Sequence, residues 1–212
     1  MSPRQDDDTT TRRNWWEPLL VGLILTLALA LRIYGWDWDE GHLFHPDERQ
    51  IFMVVRGMSL PWPPDWDNLL SPESTLNPRF FAYGSFPMYF LKAVSSVVPD
   101  VNNGWGPTHR LCLFGRPFSA LFDLGTVALL YHLSRKLYDR RVGLLCAAFG
   151  AVAVLHIQLS HFYAVDTILT FFVVLAVSLA VEVRRHGRLW HGFLLGLSIG
   201  LALATKGSAV TL

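Results

Sequence analysis

The sequence has few charged side chains and few cysteines. Charged residues make up 17% of the 212 residues, whereas soluble domains have roughly 25%, and this excludes a disordered chain and a basic nucleic-acid-binding protein. The two cysteines, Cys112 and Cys146, lie far apart and indicate neither a disulfide framework nor a cysteine metal site. Because phosphate-binding glycine motifs are also missing, no nucleotide cofactor is expected.

Apolar residues, in contrast, make up 51% of the chain and are gathered into long runs. Such runs are typical of a polytopic membrane protein, so the expected fold is an all-α bundle of about five transmembrane helices. A polar tail at 1–17 precedes the first predicted span at 18–34, in which Arg32 is expected to snorkel to the nearer membrane surface. The four further spans are predicted at 111–133, 142–159, 167–183 and 189–212.

The distribution of basic residues predicts the topology. Short loops between the predicted spans contain clusters of arginine and lysine, and such loops are usually cytoplasmic. The predicted protein is therefore a multi-pass protein of the cell membrane with a cytoplasmic amino terminus. Since the last predicted span reaches 212 with no polar flank, we expect the chain to be the amino-terminal part of a longer protein. The basic residues concerned are Arg135, Lys136, Arg140, Arg141, Arg184, Arg185 and Arg188.

The segment 35–107 differs from the rest of the chain in composition. It contains nine carboxylates against four basic side chains and is rich in tryptophan and proline. Counting the spans places it outside the cell as a large loop. Two short helices are expected to lie at the membrane interface within it, one at 47–58 with Pro46 at its start and one at 86–98.

The FHPDER motif is the sharpest candidate for chemistry in that loop. Asp47 is suited to act as general base toward an acceptor hydroxyl, with Glu48 beside it, and Arg49 to neutralise a phosphate. His45 is a further candidate for substrate binding. The alternative is that the two carboxylates only begin a helix and favour its dipole. A rival acidic cluster, WDWDE at 36–40, is assigned to the loop and the interfacial belt.

Further ionisable residues fall within or beside the predicted spans. Asp166 is predicted at the outer start of the fourth span, and Lys206, within the fifth, is suited to be the counter-ion of a lipid-linked phosphate. Capping and snorkelling are the structural alternatives for these two. Arg116 and Asp123 lie seven residues apart on one helical face, and we expect them to pair inside the bundle. A metal site at His156 and His161 is only weakly indicated.

Six pieces of sequence together resemble a known family. The chain resembles the start of the polytopic glycosyltransferases of the C superfamily, in the branch of the protein O-mannosyltransferases and the bacterial aminoarabinose transferase. The resemblance covers nearly all of 19–212, and the order of the pieces carries it. These pieces are RIYG, FHPDE, NPRFFAYGSFPMYFL, RPFSALFDLGTVALLYHLSRKLYDRRVGLLCAAF, HFYAVDTILTFFVVLA and GLALATKGSA.

The resemblance implies roles for individual residues. Asp47 would be the leading catalytic residue with Glu48 beside it, and Asp166, the carboxylate of the second outer loop, would be a third catalytic residue. Lys206 and Arg49 would face the carrier phosphate. Some members bind a divalent metal near this site, for which the candidate ligands are Glu48, His45 and His161.

The sequence therefore predicts a membrane glycosyltransferase. It would move a sugar from a polyprenyl-phosphate carrier to a hydroxyl of a protein or lipid acceptor on the extracytoplasmic side, with inversion. Its partners would be the lipid-linked sugar, the acceptor and membrane lipids, and no nucleic acid is expected. A transporter or flippase fragment and a non-catalytic lipid-binding subunit are the alternatives.

Overall fold

The computed structural model describes residues 15–59, 66–69, 71–97 and 107–211, and every regular element in these ranges is helical. This confirms the predicted all-α class. Most of the predicted polar tail and position 98 of the second interfacial helix lie outside the described residues. The elements are α1 (Trp16–Ile33), α2 (Pro46–Gly57), α3 (Phe86–Val97), α4 (Pro107–Leu137), α5 (Arg140–Val152), α6 (Val154–Ser160), α7 (Val165–His186), α8 (Leu189–Thr205) and a final 3-10 helix (Gly207–Thr211).

Three helical segments are long and apolar enough to cross a membrane: α1, residues 111–137 of α4, and α7. The predicted span at 142–159 is instead two helices, α5 and α6, which are bent by 55° at Ala153 and form either one broken span, which would be a fourth crossing, or a re-entrant loop. The predicted fifth span differs as well. Its helix α8 has 17 residues and ends at Thr205, and Lys206 adopts an extended backbone before the 3-10 helix.

The long helices pack side by side, with α7 against α8 and α4, and α5 against α4 and α1. We call one end of this bundle the basic end. There, Arg135 binds Glu17 at 2.6 Å, Lys136 pairs with Glu182, and Arg140 lies over the Trp16 ring. We call the opposite end, where α1 and α8 finish and α4 and α7 begin, the site end.

The two short helices α2 and α3 lie at the site end and pack against α4. Helix α2 begins as its sequence predicts, because the His45 ring caps it, Pro46 occupies its first turn, and two carboxylates follow. Its apolar side chains Ile51 and Phe52 are buried in the main hydrophobic cluster. Met88 and Leu91 of α3 are buried there too.

Two expectations about charged residues in the spans are wrong. Arg32 does not snorkel, because it is completely buried and its guanidinium binds Asp123 at 2.5 Å. Arg116 and Asp123 do face the bundle interior, and both are completely buried, but each pairs with other residues. Spacing on one helix shows that two residues share a face, but it does not reveal which oppositely charged residues reach that face from other helices.

Candidate active site at the site end of the bundle

The carboxylates of FHPDER are carried by the first turn of α2. The backbone N–H of Glu48 points to the His45 ring nitrogen Nδ1 at 3.5 Å, and the His45 ring packs on Phe162 at 4.5 Å between centroids. Asp47 is half-buried, whereas Glu48 is completely buried. Consecutive residues of a helix point about 100° apart, so the two neighbouring carboxylates enter different surroundings.

Asp47 faces Tyr83, which precedes α3. Burial raises the pKa of the Tyr83 phenol, and the hydrogen bond to Asp47 and the charges of Asp47 and Asp166 raise it further. Lys206 Nζ lies 2.8 Å from Asp166 Oδ1 and 6.0 Å from the Tyr83 ring centroid. We call these four residues the Tyr83 cluster. It unites three sequence candidates, Asp47, Asp166 and Lys206, around a tyrosine that sequence reasoning did not select.

The Tyr83 cluster is open to its surroundings. The side chains of Asp166 and Lys206 are 40% and 33% exposed, and those of Asp47 and Tyr83 are half-buried. A ligand could therefore reach all four side chains without unfolding the bundle.

Gly84 explains why the segment before α3 approaches α8 so closely. Its N–H donates to the Thr205 carbonyl at 3.0 Å, and a Cβ at this position would overlap the backbone of Ala204. Only glycine fits such an approach. This contact places Tyr83 beside Lys206 where α8 ends.

Glu48 belongs to a second group, which we call the Arg116 cluster and which also includes Asp39. The Arg116 guanidinium donates to both Glu48 oxygens at 2.8 Å and to the two Asp39 oxygens at 2.7 and 2.8 Å. Its fifth donor contact is to the Trp36 carbonyl at 3.0 Å, so all five guanidinium N–H groups are used. The WDWDE segment lies in the loop after α1, where it was predicted, but Asp39 is only 3% exposed and takes part in this buried cluster.

The Arg116 cluster also fixes the backbone around it. Burial opposes ionisation of Asp39, but Arg116 and two backbone N–H groups hold the pKa of this carboxyl below its ordinary value. One of those N–H groups belongs to Leu43, whose φ of 54° is strained for a leucine. Glu48 Oε1 accepts a further hydrogen bond from the Tyr163 backbone at 2.9 Å. The cluster thus ties α4 to α2, to the loop after α1 and to the turn before α7.

The remaining sequence candidates lie outside the Tyr83 cluster. Arg49 is exposed on α2. His161 places its ring nitrogens 2.7 and 2.8 Å from the carbonyls of Ile157 and Tyr34. Glu48 and His161, the leading metal candidates, therefore offer no free donor atoms, and within the described ranges no three His, Cys, Asp or Glu side chains are grouped to hold a metal ion. The residues present do not fit the implied metal.

Sequence reasoning missed Tyr83 and Asp39. A tyrosine in an aromatic loop is ordinary for a membrane interface, and Asp39 stands between other acids with nothing to distinguish it. The adjacent Gly84 was the one local sign of a close backbone contact.

A comparison with protein families gives a match. The profile described as dolichyl-phosphate-mannose-protein mannosyltransferase matches residues 89–212, which is more than half of the chain. The matched region includes Asp166 and Lys206, whereas Asp47 and Tyr83 precede it. No match was found among curated proteins.

Proposed function

Because the chain belongs to the dolichyl-phosphate-mannose-protein mannosyltransferase family, we propose that it transfers a sugar from a polyprenyl-phosphate carrier to an acceptor hydroxyl at the Tyr83 cluster. One observation carries this proposal: Asp47 and the Lys206–Asp166 pair, which are far apart in sequence, meet around Tyr83 at one end of the bundle. A base and a cation at one accessible place are what the reaction needs.

Asp47 is the proposed general base. It accepts the proton of the acceptor hydroxyl as the acceptor oxygen bonds to the anomeric carbon. The bond from that carbon to the phosphate oxygen breaks in the same step, which inverts the anomeric centre. Tyr83 orients the Asp47 carboxylate by donating a hydrogen bond to it, and its raised pKa extends the pH range in which the phenol keeps the donated proton.

Lys206 is the proposed partner of the leaving phosphate. Its ammonium group neutralises the charge that grows on the phosphate oxygens, while Asp166 holds it in place at 2.8 Å. Phosphate is a good leaving group without a proton, so no acid is required. Arg49, exposed on the same helix as Asp47, is a second candidate contact for the carrier phosphate, and His45 acts through the cap of α2.

Glu48 has a different proposed role from Asp47. Both of its oxygens bind Arg116, so it is a positioning residue that fixes the orientation of α2. Asp166 is likewise a positioning residue for Lys206. Of the two adjacent carboxylates in the motif, Asp47 therefore takes part in the reaction, whereas Glu48 holds α2 in position.

The proposed reaction takes place on the extracytoplasmic side. The charge distribution supports this, because the basic clusters lie at the opposite end of the bundle and such clusters are usually cytoplasmic. The carrier would then present its sugar at the outer membrane surface, where α2 and α3 lie.

Transfer of labelled mannose from polyprenyl-phosphate mannose to a hydroxyl-bearing peptide tests the proposal in the full chain in membranes. Asp47→Asn removes the base with little change in shape and should reduce transfer by about 10²–10⁴-fold. The matched control is Asp67→Asn, which changes an exposed carboxylate of the same loop and should leave transfer unchanged. If the Asp47 variant keeps most of its activity, the assignment is wrong. Carrier binding without any transfer by the unaltered chain would indicate a non-catalytic subunit.

A further inference from the structure

The bend between α5 and α6 interrupts the regular helical hydrogen bonds at Ala153, whose N–H donates to the Gly150 carbonyl at 3.4 Å. The Arg32 guanidinium reaches the same point, where it donates to the carbonyls of Gly150 and Ala151 at 3.0 Å each, and it also donates to Ala28 of its own helix at 3.0 Å. Asp123 neutralises Arg32 through the 2.5 Å contact to Nε. This pair is therefore explained by the bend, because an unpaired charge or carbonyl inside a membrane protein is costly.

His156 is not explained in this way. Its Nδ1 lies 2.5 Å from the second Asp123 oxygen, although Arg32 already balances the charge of that carboxylate. The His156 side chain is 36% exposed, and within the described residues Nε2 has no hydrogen-bond partner. His156 Nε2 is therefore available to form a hydrogen bond with a molecule outside the chain.

That side chain lines a groove on the outer surface of the bundle. The groove has a volume of about 370 Å³, which lies in the lower part of the range of ligand pockets. The side chains beside it are apolar and exposed, including Phe149 at 71% and Val154 at 77%, so the groove opens where a bilayer would touch the protein. Its lining includes Thr126, Leu130, Cys146, Phe149 and His156.

The two ends of the groove lie at different depths along the bundle. Helix α5 starts at the basic end and α6 finishes at the site end, so His156 is near the site end whereas Cys146 and Leu130 lie deeper along the bundle. The Thr126 hydroxyl of the lining is bound to the Phe122 carbonyl at 3.1 Å. A histidine ring at the shallow end of a mainly apolar groove matches the form of a membrane lipid, with its headgroup at the surface and its chain in the interior.

We propose that this groove binds an anionic glycerophospholipid of the leaflet at the site end. A chain of the lipid would lie along the apolar part of the groove, and a phosphate oxygen would accept a hydrogen bond from His156 Nε2. With His156 as imidazolium, the group contains two cations, Arg32 and His156, against the single charge of Asp123, which favours an anion. The groove is built by α4, α5 and α6, whereas the Tyr83 cluster belongs to α2, α7 and the ends of α3 and α8.

Native mass spectrometry of the purified full chain tests this proposal. The probes are phosphatidylglycerol, phosphatidylcholine and a polyprenyl phosphate, each added separately. We expect phosphatidylglycerol to be retained, and His156→Gln to retain about tenfold less, the loss expected for one charge-assisted hydrogen bond. Cys146→Phe, which fills the deep part of the groove, should reduce retention as well.

Two variants serve as controls. His132→Gln makes the same substitution at an exposed histidine of the basic end and should retain phosphatidylglycerol fully. Asp47→Asn should retain it too, so that failure of the transferase proposal and failure of this one can be told apart. A circular dichroism spectrum confirms that each variant is folded.

Three results would overturn the assignment. Retention of phosphatidylglycerol that is unaffected by both groove variants would show that the lipid binds elsewhere. Equal retention of phosphatidylcholine, independent of His156, would indicate ordinary boundary lipid without recognition of a headgroup. Retention of polyprenyl phosphate and not of phosphatidylglycerol would assign the groove to the sugar carrier.

Discussion

The Tyr83 cluster and the Arg116 cluster lie at the same end of the molecule and share a helix turn, but they differ in burial. Asp47 and Glu48 are adjacent in sequence, and each belongs to one cluster. In the Arg116 cluster all three side chains are at most 3% exposed and every guanidinium donor is used. In the Tyr83 cluster the lysine and its aspartate are 33% and 40% exposed.

This difference in burial indicates that the Arg116 cluster stabilises the fold and that the Tyr83 cluster carries out the reaction. A saturated buried network has no free hydrogen-bonding group for a ligand, and any change in it leaves a charge uncompensated. An open cluster contributes little to stability, because water screens its ion pair, but its groups can reach a substrate. We therefore expect stability to depend mainly on Arg116 and transfer mainly on the Tyr83 cluster.

Substitution of Arg116 is the strongest way to test that contrast. Arg116→Met would leave the Asp39 and Glu48 carboxylates buried without their partner, and breaking a buried pair in this way typically costs about 3–5 kcal/mol. Thermal unfolding in detergent should show a large fall in the transition temperature. Arg135→Met is the control, because its pair with Glu17 is half-exposed and should be worth about 0–1 kcal/mol. Similar losses for the two variants would contradict the contrast.

The helices could be predicted from the sequence to a large extent. The apolar runs and the Pro46 signal located α1, α2, α3, α4 and α7 closely. The bend at Ala153 could not be predicted, because the sequence from 142 to 155 is apolar and contains no proline. At the bend, Arg32 from another helix binds the carbonyls of Gly150 and Ala151, and a contact between distant residues leaves no pattern in the local sequence.

The site was predictable only in part. The FHPDER motif indicated Asp47. The distribution of charges along the whole sequence indicated Asp166 and Lys206, and the structure brings these three residues together with Tyr83. What the sequence could not provide were the partners of the buried charges, because Arg116 reaches Asp39 and Glu48 across 77 and 68 residues of chain. Such pairs are determined by tertiary packing and leave no periodic pattern.

Substitution of Lys206 should have the opposite effects to substitution of Arg116: a large loss of transfer activity and a small loss of stability. Lys206→Met removes the proposed phosphate contact and should lower transfer by about 10²-fold, the usual cost of losing one charge-stabilising donor. Because its pair with Asp166 is partly exposed, the free energy of unfolding should change by no more than about 1 kcal/mol. Lys206→Arg keeps the charge and should recover part of the activity. A loss of stability as large as that of Arg116→Met would show that the lysine is structural.

Tyr83 should have the smallest effect on stability, and the pH dependence of that effect should be visible only in alkaline solution. Its pKa is raised by burial and by Asp47 and Asp166, so the folded state binds the phenol proton more tightly than the unfolded chain does. The stability of the native protein should therefore be unaffected well below the ordinary tyrosine pKa of about 10 and should decline as the pH rises above it.

The Tyr83→Phe variant has no phenol to ionise, so its stability should decline less than that of the native protein over the same alkaline range. The measurement is the transition temperature of both proteins between about pH 8 and pH 11, a range that spans the ordinary tyrosine pKa. All other titratable groups are the same in both proteins, so the difference between the two curves isolates the phenol. Tyr34→Phe, at a tyrosine that is 86% exposed, provides the matched control.

If the Tyr83→Phe curve runs parallel to the native one, the phenol does not contact Asp47, and Tyr83 is not part of the cluster that is named after it. If the curves diverge only above about pH 10, the folded chain holds the Tyr83 phenol proton more tightly than the unfolded chain does, as its burial beside Asp47 requires.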